Sequence, residues 1–144
     1  MTTSSYTETA TCDADRLVQD FFDLGIVGYV ALGCGQEVLM RLAPQVEGMT
    51  QTTPESNFFE ELLVNPTLLK LASQRGQLDC GGTSYIAIGY GDFTQFIAPM
   101  KSGHVSLGVA RDANVRELAD KVQQILERHQ RLPETQQPWL LSKN

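Results

Sequence analysis

Two segments of this chain repeat one local device: an apolar run, a glycine-bracketed break, and a second run that ends in Ala-Pro. The first is GYVALGCGQEVLMRLAP (residues 28–44) and the second is SYIAIGYGDFTQFIAP (residues 84–99). Tyr29-Val30-Ala31-Leu32-Gly33-Cys34-Gly35-Gln36 matches Tyr85-Ile86-Ala87-Ile88-Gly89-Tyr90-Gly91-Asp92 in kind at almost every step. Two apolar runs joined by so short a break pair as antiparallel hairpins, because a parallel return needs a dozen or more connecting residues. Glycine is expected in these breaks because tight turns often need positive φ. The chain is therefore committed to an antiparallel sheet before anything else is read.

The Gly89-Tyr90-Gly91-Asp92 break also invites a nucleotide-binding reading, and the residues argue against it. A dinucleotide fingerprint needs a third glycine and a following helix. Thr94 stands at that third position, and Phe93 to Ala98 reads as strand. No Gly-Lys-Ser/Thr triplet for a phosphate loop occurs anywhere in the chain.

The remaining elements follow from periodicity. ADRLVQDFFDLG places Leu17, Val18, Phe21, Phe22 and Leu24 at helical spacing, with Asp13 as N-cap and Gly25 as stop. Asp15, Asp20 and Asp23 fall on its wet face. Ile26–Leu32 reads as a strand covered on both faces, and Val38 to Leu42 as an edge strand with one wet face. Thr53-Pro54-Glu55 starts a second helix, with proline at the first helical position. That helix is expected to break or kink at Asn65-Pro66, restart with Asn65 as cap, and close at Arg75-Gly76. Lys101-Ser102-Gly103 makes a third turn into a fifth strand over His104–Ala110. In that strand Val105, Leu107 and Val109 face one way, and the small residues facing the other let a helix pack close. Asn114-Val115-Arg116-Glu117 is a capping box opening an amphipathic helix to about His129. The order is α-β-β-α-β-β-β-α. It predicts a single α+β domain over residues 14–130 with a five-stranded antiparallel sheet and helices on both faces. Residues 1–13 form a polar N-terminal arm, and residues 131–144 a C-terminal tail whose Trp139, Leu140 and Leu141 are a candidate docking cluster.

Composition excludes several functions. A net charge of −6 disfavours nucleic acid as a partner. The acids concentrate in residues 1–72, ten against three bases, which reads as a solvated acidic face. No apolar run is long enough to span a membrane, and the polar start is not a secretory signal, so the expected location is cytoplasmic. Three cysteines, Cys12, Cys34 and Cys80, with no C-x-x-C pair, suit a reducing compartment. They and His104 and His129 show no metal-ligand spacing.

No catalytic motif appears. His104 reads as a partly exposed residue beside a turn, and His129 as a cation near a helix C-terminus. Cys34 reads as a hairpin-tip thiol with no neighbouring cation to activate it. Glu60-Glu61 point in different directions on a helix, a poor carboxylate pair. Arg111-Asp112 is explained by turn formation. The expectation is no enzyme, no cofactor and no metal, with a His104- or Cys34-based enzyme as the weakest rival.

GHVSLGVARDANVRELADKVQQIL (residues 103–126), preceded by SYIAIGYGDFTQFIAPM (residues 84–100), resembles the roadblock/LC7 family over about residues 14–130. In that family a last strand runs through a short Asp/Asn-containing junction into an amphipathic helix, on a profilin-like fold. The resemblance implies a non-enzymatic homodimer, paired through the central helix and third strand. Here that involves Phe58, Phe59, Leu62 and Leu63 with Tyr85, Ile86 and Ile88. It also implies an adaptor or regulator of a small Ras-like GTPase, or a scaffold in a bacterial signalling or motility complex. The Asn65-Pro66 break departs from the family's single long helix. It motivates an alternative, a profilin-like module that senses a small molecule in a space opened by the kink.

Overall fold

The computed structural model describes residues 14–34, 37–43, 52–101 and 103–130. In chain order the elements are α1 (14–22), β1 (Val27–Cys34), β2 (Glu37–Leu42), α2 (Pro54–Phe59), a π-helical turn (Glu60–Val64), α3 (Asn65–Asp79), β3 (Ile86–Gly89), β4 (Thr94–Met100), β5 (Gly103–Val109) and α4 (Val115–Gln130). The five strands form one sheet, ordered β2-β1-β5-β4-β3, and every neighbouring pair is antiparallel. The expected α+β architecture is the observed one.

The sheet has two unlike faces. On the first, Val30, Leu32, Phe96, Ala98, Val105, Leu107 and Val109 meet Leu17 and Phe21 of α1 and Leu118, Val122, Ile125 and Leu126 of α4 in one apolar core. This is ordinary layer packing, driven by apolar area removed from water. Asn114 Oδ1 accepts the Glu117 backbone N–H at 3.0 Å and sets the start of α4. His129 Nε2 lies 2.7 Å from Asp20 Oδ2 and ties the end of α4 to α1, so Asp20 is not a purely solvated acid.

The second face carries the small and polar alternates: Tyr29, Ala31, Gly33, Gln95, Ile97, His104 and Ser106, with β5 paired in unbroken register to β4 and, apart from a register shift between Val27 and Tyr29, to β1. The central helix crosses this face. Thr53 caps it reciprocally with Ser56, whose N–H is 3.1 Å from Thr53 Oγ1.

The expected break at Asn65-Pro66 does not occur. Asn65 stays in the right-handed helical region (φ −66°, ψ −46°), and its N–H reaches back five residues to the Glu60 carbonyl. Proline has no N–H, and its ring crowds the carbonyl four residues earlier. One widened turn ahead of Pro66 absorbs both defects and keeps the rod continuous. Asn65 is accordingly no cap.

Four other expectations need correction. β1 extends to Cys34, which pairs with Glu37, beyond the expected strand end at Leu32; residues 35 and 36 lie outside the described residues. Cys34 is buried in the apolar core and is no exposed tip. Positive φ occurs among the described residues only at Gly25, Gly81 and Gly82, so neither Gly33 nor Gly89 is there for handedness. Gly76 does not end its helix. It lies inside α3, where a Cβ would come within 2.9 Å of the Gly82 backbone. The two hairpins also differ in their roles. β1 is an inner strand buried throughout, whereas β3 is a short edge. Beyond Ile97 the β4 strand has no β3 partner, and that is where Pro99 sits. The N-cap expectation for Asp13 and the tail cluster Trp139, Leu140 and Leu141 lie outside the described residues.

Gly33 serves close approach. A Cβ there would overlap the His104 ring, and one on Gly103 would strike the Gly33 carbonyl. Gly33→Ala is expected to lower stability by about 1–3 kcal/mol through overpacking. Gly89→Ala, where nothing lies within 4 Å, should change it by no more than about 1 kcal/mol. Urea denaturation of the two variants checks the contrast.

Candidate functional site

The central helix is inside out. Its sheet-facing residues at the middle of the rod are Glu61 and Asn65, with 1% and 0% relative exposure. Its outer residues are Phe58 (47%), Phe59 (59%), Leu62 (41%), Leu63 (55%) and Leu71 (59%), continued by Leu78. An ordinary surface helix has the opposite arrangement.

The polar side is held by hydrogen bonds. Glu61 Oε2 accepts from the Tyr29 hydroxyl at 2.7 Å. Glu61 Oε1 accepts from Asn65 Nδ2 at 3.2 Å and lies 3.0 Å from His104 Nε2. Asn65 Nδ2 also reaches Ser106 Oγ at 3.0 Å, and Gln95 Nε2 donates to that same oxygen. Burial, and then the Glu61 carboxylate, push the Tyr29 phenol far above its ordinary range, so it remains a donor at any physiological pH. Neighbouring elements supply these partners because the pleat sends Tyr29, Gln95, His104 and Ser106 to one face. Gly33 leaves room beside the His104 ring.

His104 is therefore not the partly exposed turn residue that its position suggests. It is buried at 6% exposure and pairs with Glu61. Glu60 and Glu61 do diverge, but only Glu61 enters the network. Glu60 lies at a cleft between the start of the central helix and the β3–β4 turn, where the Tyr90 hydroxyl donates to its Oε1 at 2.9 Å. Burial raises the Glu60 pKa, and the Tyr90 bond partly opposes the rise. Burial and the Glu60 contact push Tyr90 up to about 12.

The remaining sequence candidates are dispersed. Ile86 and Ile88 sit opposite Ile97 and Gln95 on the helix-facing side of β3, and both are half-buried. Tyr85 instead stacks on Phe96, with ring centroids 5.1 Å apart, toward the other face. Arg111 is exposed and lies 3.5 Å from the Gly91 carbonyl. Cys80 is exposed beside Asp79. No group of three or more His, Cys, Asp or Glu side chains that could hold a metal ion occurs among the described residues. Glu61 was the residue missed in the sequence. Its signal was the run of apolar neighbours at 58, 59, 62 and 63, which leaves 61 and 65 on the opposite side of the rod.

Comparison with known proteins adds the fold. No family model matches the chain, and no curated protein matches it in sequence. Among solved structures it is similar to the roadblock/LC7 domain from Streptomyces avermitilis, with a TM-score of 0.56 and 11% identity over 81% of this chain and 87% of that one. It is also similar to the gliding protein MglB from Thermus thermophilus, with a TM-score of 0.48 and 11% identity over 84% of this chain and 90% of that one. The fold is that of the roadblock/LC7 domain.

Removing the buried acceptor should be costly. Glu61→Ala leaves Tyr29, Asn65 and His104 without it, and about 3–5 kcal/mol of stability is expected to go. Glu60 behaves oppositely. Its folded pKa is raised, so the protonated form is favoured by folding, and that contribution is lost as pH rises through the folded pKa. Glu60→Gln is thus expected to match or exceed the parent in stability at neutral pH. The advantage should shrink as pH falls and the parent's Glu60 becomes protonated. Thermal melts across mildly acidic to neutral pH check both.

Proposed function

We propose that the chain is a non-enzymatic homodimeric adaptor or regulator, and that two copies meet along the outer face of the central helix. The observation that carries this reading is the exposed row Phe58, Phe59, Leu62 and Leu63 on a helix that buries Glu61 and Asn65 on the side facing the sheet. A contiguous apolar surface of this kind marks an interaction site. Its own network prevents the helix from rolling over to hide it, since that would strip three hydrogen-bond partners from Glu61. A second copy offers the same row, so a two-fold contact is self-complementary. The flanking β3 edge, with Ile86 and Ile88, adjoins this reading.

The roadblock/LC7 fold supports the class of partner: a small Ras-like GTPase, or a scaffold in a signalling or motility complex. The proposed place of action is the cytoplasm. No helix among the described residues is long and apolar enough to cross a membrane.

Sedimentation velocity tests the pairing. The parent is expected to sediment as a dimer at micromolar concentration, and Phe59→Glu with Leu62→Glu as a folded monomer. A parent that is monomeric throughout would overturn the dimer. The regulator reading is tested by affinity capture with a GTP analogue or GDP present. It predicts a Ras-like GTPase enriched in one nucleotide state, and recovery of no GTPase in either would refute it.

A further inference from the structure

The cleft beside Glu60 is a built site that the dimer reading does not use. It encloses about 290 Å³ between the start of the central helix and the β3–β4 turn. That is near the lower end for small-molecule pockets. Its walls are aromatic: Tyr29, Tyr90 and Phe93, the last two with centroids 5.4 Å apart and planes tilted by 46°. Its charged groups are Glu60 and Asp92, with Thr52, Ser56, Asn57 and Gln95 as polar neighbours. No lysine, arginine or histidine is among the described residues lining it. Arg111 approaches this turn but is held at the Gly91 carbonyl.

Glu60 is the group with something missing. Glu61, next to it, has three side-chain partners. Glu60 has one, the Tyr90 hydroxyl, and its Oε2 is buried with no donor among the described residues. A carboxylate in aromatic surroundings, half-satisfied and with no counter-charge, is stabilised by a cation. The ring faces of Tyr90 and Phe93 favour the same sign of charge. An anion would find no cationic partner on these walls. A hard metal ion would need several oxygen ligands, and the described residues contain no such group.

We propose that this cleft binds a small organic cation, a primary ammonium or guanidinium on a short apolar body, with its charge at Glu60 and its body against Tyr90 and Phe93. Glu60 Oε1 keeps a lone pair beyond the one Tyr90 uses, and the charge is shared by both oxygens, so the ligand can approach from the open side. The inference does not depend on the dimer.

Benzylamine is the probe, with benzyl alcohol as its neutral counterpart, titrated into the full chain and followed by amide chemical shifts in about 0.15 M salt. The expected result is saturable benzylamine binding at millimolar concentration or below, with shifts confined to Tyr90–Gln95 and the start of the central helix. Benzyl alcohol should bind at least about tenfold more weakly, the size of one charge-assisted hydrogen bond. Glu60→Gln should weaken benzylamine by a similar factor and leave benzyl alcohol unchanged. Tyr90→Phe, which keeps the ring, should retain binding. Absence of saturation, equal affinity for the two probes, shifts spread over the acidic surface, or unaltered binding in folded Glu60→Gln would each overturn the proposal.

Discussion

The structure turns on one buried carboxylate. Glu61 gathers a phenol, an amide and an imidazole from β1, the central helix and β5, and so ties the helix to the sheet at one rotation about its axis. Apolar contacts would tolerate small rolls and slides of the helix. Three directional bonds to one group do not, and a rotation that breaks them leaves a charge stranded away from water. The network thus contributes definition to the fold more than net stability. The apolar core on the opposite face of the sheet supplies the stability.

Everything on the second face fits around that tie. Gly33 leaves the space that the His104 ring occupies, and Gly103 lets β5 lie close to β1. Ser106 and Gln95 complete the polar layer toward β4. The widened turn at Glu60–Val64 carries the rod past Pro66 without a break while Glu61 and Asn65 both face the sheet. The consequence appears on the outside. With Glu61 and Asn65 turned inward, the middle of the helix presents phenylalanine and leucine to solvent, the kind of surface that marks an interaction site.

Much of this architecture was legible in the chain. Glycine-broken apolar runs marked both hairpins, Thr53-Pro54 and Asn114 marked helix starts, and alternation in His104–Val109 separated a core face from a small-residue face. The site was less legible, for physical reasons. A proline preceded by asparagine reads as a helix break, because only the α geometry is assumed; a π turn removes the conflict without changing composition. Glu61 reads as a surface residue because charged groups are seldom buried, and its partners come from strands 32 and 43 residues away. Gly33 reads as a turn glycine, since the ring it accommodates belongs to a distant strand.

The proposed pairing links a buried polar tie to an exposed apolar face, with a second copy as the proposed cover. Isotope-filtered NOE spectroscopy on an equimolar mixture of labelled and unlabelled chain tests it most directly. It reports only contacts between molecules and identifies the atoms that make them. Intermolecular contacts from the side chains of Phe59, Leu62 and Leu63 to their counterparts are predicted. Their absence, or contacts arising instead from α4 or the β2 edge, would contradict it.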